Sequence, residues 1–143
     1  MTYNELLLDA IRCEEEKLAY SIYWLIKNGI LKGSDYVKPI DWDLVNHDEV
    51  KVMRERNELN MNIIRLYSMP LGNNQHFLVF AANEEDAKGH CFKELNRIPN
   101  KIFDITDRLD TSFWFEDKQK YQSLRELRDE ILIFPATAMI FQK

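Results

Sequence analysis

The residues best equipped for chemistry lie in one acidic stretch. Asp104, Asp107 and Asp110 recur at every third position, and Glu116-Asp117-Lys118 follows shortly after. Carboxylates gathered close together can hold Mg²⁺ and offset the charge that develops in phosphoryl transfer. On that reading Asp104, Asp107 and Glu116 would be metal-binding acids, with Lys118 a further catalytic candidate. The product would be a metal-dependent phosphoesterase or nuclease-like enzyme.

Glu116-x-Lys118 with Asp104 upstream is similar to the Glu-x-Lys end of a common nuclease core. The pattern also starts at Glu15 and at Glu49, so its presence at Glu116 carries little weight. The acids fail the calcium-loop spacing, which needs alternate positions and a central glycine. A solvated acidic loop, with Asp side chains closing its turns, is the favoured expectation.

Other templates fail outright. The four glycines, Gly29, Gly33, Gly72 and Gly89, form neither a dinucleotide fingerprint nor a Walker-type loop. His47, His76 and His90 make no zinc-helix pair. His90 and Cys91 are neighbours, but adjacent helical positions point about 100° apart, and Cys91 falls on the expected buried face, where a thiol is inert. Cys13 and Cys91 are too few and too far apart for a zinc ribbon or a disulfide framework. No cofactor and no metal are expected.

Charge and composition narrow the partners. Net charge is −5. The first 60 residues carry 8 basic and 12 acidic groups, and the remainder carries 11 and 12. Nucleic-acid binders concentrate Lys and Arg on one surface, so these totals argue against a nucleic-acid accessory factor. Phe113-Trp114-Phe115 could stack on bases, but the surrounding acids would repel phosphates. Arg125 and Arg128, with Lys118 and Lys120, alternate with Glu126, Asp129 and Glu130, the pattern of a solvated helix face. No apolar run is long enough to span a membrane, and the start lacks the features of a secretory signal. A cytoplasmic location is expected. Asn, Ile and Lys are frequent while Gly and Ala are sparse, a bias suited to an AT-rich bacterial or mobile-element genome.

The elements that position these residues can be read from periodicity. Thr2 and Glu5 make a capping box, and a helical pattern runs to about Asn28, where Gly29 supplies a left-handed stop. Leu7, Ile11, Leu18, Ile22 and Leu25 form one apolar stripe. Leu6, Cys13, Tyr20 and Trp24 form a second. The second stripe either packs between two layers or under the 30–60 segment, or meets another subunit, giving a homodimer through the N-terminal helix. Pro39 interrupts any helix in the next stretch, and 48–58 is expected to be a short helix or, since Val50 and Val52 alternate, a strand.

From residue 61 the pattern changes. Ile63–Tyr67 and Phe77–Ala81 are expected strands, joined by a turn at 70–74. Asn83 caps a helix with Ala87, Cys91, Leu95 and Ile98 inward and Gly89 outward, stopped at Pro99. Lys101–Ile105 and Phe113–Phe115 are further strands, with either Trp114 or its two neighbours facing out. Ser123 and Glu126 cap a last helix with Leu124, Leu127, Ile131 and Phe134 inward, and 136–141 is the final strand. The chain is thus expected to be one α+β domain of 143 residues: a long N-terminal helix and a mainly helical part over 1–60, then a mostly antiparallel sheet of four or five strands in the order β-β-α-β-(β)-α-β over 61–143, with helices on one face. The function class expected is a non-catalytic interaction or accessory protein, self-associating or binding another protein through Leu6, Cys13, Tyr20, Trp24 and Trp114.

Overall fold

The structure, a computed structural model, describes residues 1–142. The chain is mixed α+β and divides into two compact units, Met1–Ile63 and Ile64–Lys143. The division falls close to the change of pattern at residue 60. No described helix is long and apolar enough to cross a membrane.

The first unit is helical. Helix α1 spans Tyr3–Arg12 and α2 spans Glu16–Lys27. The capping box forms as expected: the Thr2 hydroxyl accepts from the Glu5 amide, and the Glu5 carboxylate accepts from the Thr2 amide. The Glu5 carboxyl is thereby held below the ordinary value, first by the Thr2 backbone bond and then by its hydroxyl. The single long rod read from the sequence is instead two helices. Glu14 adopts a left-handed backbone at φ 58°. Its amide donates to Ile11 O, and the Glu15 amide donates to Ala10 O, the paired bonds that close a helix C-terminus. The same motif ends α2 at Gly29 and ends α3, His47–Glu55, at Asn57.

Tyr20, Trp24 and Leu25 from α2 pack against Val45, Val50 and Met53 to make this unit's core. The indole of Trp24 donates to Glu49 at 2.6 Å, and the Tyr20 hydroxyl accepts from the Leu59 amide at 3.2 Å. The 33–38 segment closes the start of α1: Tyr3 N donates to Asp35 O and Asn4 N to Gly33 O. Gly33 is constrained by that approach, since a Cβ there would collide with the Asn4 side chain.

The second unit is built on a four-stranded antiparallel sheet whose strands lie in the order 103–104, 65–72, 75–81, 136–142. The strands are β1 Arg65–Gly72, β2 Gln75–Ala81, β3 Phe103–Asp104 and β6 Ala136–Gln142. β1 and β2 form the expected hairpin, but β1 continues through Pro70 to Gly72, and only Asn73 and Asn74 turn the chain, at φ 52° and 60°. Those left-handed values suit a two-residue hairpin turn.

β2 lies centrally and is apolar on both faces. Phe77, Val79 and Ala81, with Tyr67 and Met69 of β1, pack under Ala87 and Cys91 of helix α4, Glu84–Leu95. Leu78 and Phe80, with Leu66, pack on the opposite face with Leu109 and Leu124. Leu124 opens helix α5, Leu124–Glu130. The helices of this unit therefore cover opposite faces rather than one, because alternation along β2 leaves two apolar faces to bury. α4 stops at Leu95, with Asn96 left-handed at φ 53°. Ile98 therefore lies outside the helix and is exposed at 72%, where the sequence pattern had placed it on the buried face. Phe113–Phe115 does not join the main sheet. It belongs to β4, Ser112–Phe115, paired with β5, Lys120–Ser123, a strand the sequence pattern did not reveal.

Candidate functional site

The acids expected to share an ion do not converge. Asp104 faces Arg65 at 3.1 Å and accepts from the amide and hydroxyl of Thr106. Asp107 is exposed in the short 3-10 turn Thr106–Arg108. Asp110 pairs with Arg125 at 2.8 Å, and that hydrogen bond, then the guanidinium charge, hold its carboxyl below the usual range. Glu116 accepts from the Trp114 indole at 2.8 Å and from Gln119. Lys118 donates to Gln122 at 2.9 Å and pairs with Glu130 at 2.6 Å. Among the described residues, no three His, Cys, Asp or Glu side chains come together as a metal site would require. Asp110, Glu116 and Lys118 tie turns to the β4-β5 hairpin and to α5, whereas Asp104 ties its turn to β1.

The neighbours His90 and Cys91 diverge, as helical geometry requires. Cys91 is fully buried against the sheet, and burial pushes its thiol pKa up. His90 is stacked on Phe77 at 6.2 Å between ring centres, with Nε2 2.8 Å from the Thr137 hydroxyl. Arg128, expected on a solvated face, is buried and donates to the Ile64 carbonyl at 2.9 Å.

The expected interface residues separate into two groups. Tyr20 and Trp24 lie in the first unit's own core, against the 45–53 segment. Leu6 is half-buried, and Cys13 is exposed at the end of α1. Trp114 is exposed at 47%, meeting Tyr121 edge-to-face at 5.2 Å on the outer side of the hairpin. Its neighbour Phe113 turns inward onto Phe141, so of the two alternations open to this strand, the one with Trp114 outward is adopted.

The sequence pattern gave no weight to the free edge of the main sheet. Among the described residues no strand lies beyond β6. Its seven residues, Ala-Thr-Ala-Met-Ile-Phe-Gln, carry no charge. The other edge, β3, is two residues long. Leu132 and Ile133, just before β6, are exposed at 92% and 81%, and Ile140 is half exposed. A groove of about 670 Å³ runs between α4 and residues 133–137; α4 contributes Glu85, Asp86, Gly89, His90, Lys93 and Glu94 to its wall. Space above Gly89 is open. Neither a protein-family model, nor a curated protein, nor a solved structure matches this chain.

Proposed function

We propose that this is a non-catalytic interaction protein that engages its partner along the β6 edge of its sheet. One observation carries the reading: a seven-residue uncharged strand forms a sheet edge with, among the described residues, no strand beyond it, preceded by two highly exposed apolar side chains. Such an edge is a template for an added strand. Proteins that do not use an edge blunt it with charge, proline or brevity, as the two-residue β3 does here. The β2–β6 pairing carries a bulge: the register shifts between Leu78 and Val79, leaving Ala138 of β6 without a partner. Recognition by strand addition draws affinity from main-chain hydrogen bonds and selectivity from alternate side chains.

The partner surface in this reading lies on the second unit, not on the second stripe of the leading helices, because Tyr20 and Trp24 are already packed within their own unit. The test is a selection of random dodecapeptides on the intact protein, followed by binding to Ile140→Lys, which puts a charge on the edge. Selected peptides should bind the parent and lose most of their affinity for Ile140→Lys, while Trp114→Ala leaves them unaffected. Failure to enrich any peptide, or ligands indifferent to Ile140→Lys, would remove the reading.

A further inference from the structure

We infer that the occupant of the β6 edge is an extended basic segment of another protein, with Lys or Arg at every second position and apolar residues between them. The inference rests on the edge reading above and adds the chemistry of the partner. It follows from what flanks the two faces of β6.

On the face shared with α4, the groove beside β6 is walled by Glu85, Asp86 and Glu94 against the single ammonium of Lys93. A strand laid beside β6 sits about 5 Å further out. Beside the start of β6, only a long side chain from it reaches back over Ala136 and Thr137 to those carboxylates. Lys and Arg have that reach, and their stems can lie along the exposed Ile133 on the way. On the opposite face β6 presents Met139 and Phe141, part of the cluster built by Leu124, Leu127 and Phe134. The intervening side chains of an added strand would extend that cluster and must be apolar. Period-two alternation of charge and apolarity is therefore imposed by the two faces.

A second copy of this chain fits less well. Antiparallel pairing of β6 with its twin about a two-fold axis puts both α4 helices on the same face. The acidic wall of one groove then confronts the acidic wall of the other, and like charges oppose closure.

The test uses four capped decapeptides on the intact protein: Lys alternating with Val, Glu alternating with Val, Ser alternating with Val, and Lys and Val in consecutive pairs. Binding is followed by fluorescence anisotropy at low salt, and the site is mapped by amide chemical shifts. The alternating Lys peptide should bind at least about tenfold tighter than the Glu peptide and the paired peptide, weaken as salt rises, and shift amides of 136–142. Glu85→Gln with Glu94→Gln, both exposed and isosteric, should cut that preference to about threefold or less. Equal binding of all three alternating peptides at β6 would overturn the basic-partner inference and leave the edge reading intact. No binding by any of them would overturn both. A sedimentation dimer abolished by Ile140→Lys would show that the occupant is a second copy, and would overturn the inference as well.

Discussion

Lys118 Nζ lies 2.6 Å from Glu130 Oε2, joining the turn of the β4-β5 hairpin to the last residue of α5. The other oxygen of the same carboxylate accepts from the side-chain amide of Gln122, which is buried. The acidic stretch that looks catalytic in the sequence is, at this point, a clamp between a hairpin and a helix.

The clamp has a pH signature. Hydrogen bonds from Lys118 and then Gln122 hold the Glu130 carboxyl below its ordinary value. A carboxyl depressed in the folded state contributes stability that is present above its unfolded pKa and is lost as pH falls through the folded value. Glu130→Gln should therefore lower the urea midpoint near neutral pH, and the gap from the parent should close as the pH falls through and below the ordinary carboxylate range. A gap unchanged across that range would mean that the charge on Glu130 contributes nothing to folding.

The tryptophans separate core from surface. Trp24 is packed among Tyr20, Val50 and Met53 with its indole N–H bonded to Glu49. Trp24→Ala should cost about 3–5 kcal/mol by removing a large buried side chain. Trp24→Phe should cost less, but it leaves the Glu49 carboxylate without that donor. Trp114→Ala, on an exposed hairpin face, should cost under about 1 kcal/mol. Denaturant unfolding checks all three, and acrylamide should quench Trp114 and leave Trp24 shielded.

The two-residue turn between β1 and β2 makes a steric prediction. Asn73 and Asn74 both have positive φ, a region where asparagine is tolerated and β-branched residues are not. Asn74→Gly should change stability by no more than about 0.5 kcal/mol, whereas Asn74→Val should cost about 1–2 kcal/mol. Thermal unfolding of the pair would measure the difference directly, and equal stabilities would contradict the turn geometry.

Much of the second unit was legible because its signals are local. Asn83 and Ser123 cap helices through their own side chains, and the continuous apolar run Phe77–Ala81 marks a strand buried on both faces. The helix ends show where legibility fails. Three C-termini close with the same paired hydrogen bonds, at Gly29, Asn57 and Glu14. Glycine announces that conformation and asparagine suggests it. Glutamate gives no sign, so two helices read as one. The β5 strand was missed for a related reason: Lys120–Ser123 has little apolar content, and its pairing with β4 is set by a turn at Gln119 in left-handed conformation. The free edge was invisible in principle, since whether a strand is central or terminal depends on pairings remote in sequence. Nor could spacing reveal that Asp104, Asp110, Glu116 and Lys118 each have a different partner.

Arg128 tests another reversal. It was expected on a solvated helix face, yet its guanidinium is buried and donates to the Ile64 carbonyl. Hydrogen bonds to a charged group contribute about 1.5–3 kcal/mol, so Arg128→Ala should destabilise by about 2 kcal/mol or more. Arg125→Ala, which removes a partly exposed pair with Asp110, should cost under about 1 kcal/mol. If the two substitutions proved equal in urea melts, the buried anchor would not be holding the start of this unit.

The two thiols should behave oppositely, and each reports on a different unit. Cys13 is exposed at the end of α1, while Cys91 is buried under the sheet face covered by α4. The thiolate is the reactive species, and burial raises the Cys91 pKa and so suppresses it further. An aromatic disulfide reagent at neutral pH should therefore titrate one thiol rapidly in the native protein and the second only when denaturant unfolds the sheet. Cys13→Ser should abolish the fast phase and leave the slow one. Because α4 must leave the sheet before Cys91 can react, the slow rate should follow the unfolding of the second unit, and ligands that lock the β6 edge should retard it. A fast phase that survives Cys13→Ser would mean that α4 does not cover Cys91 in solution.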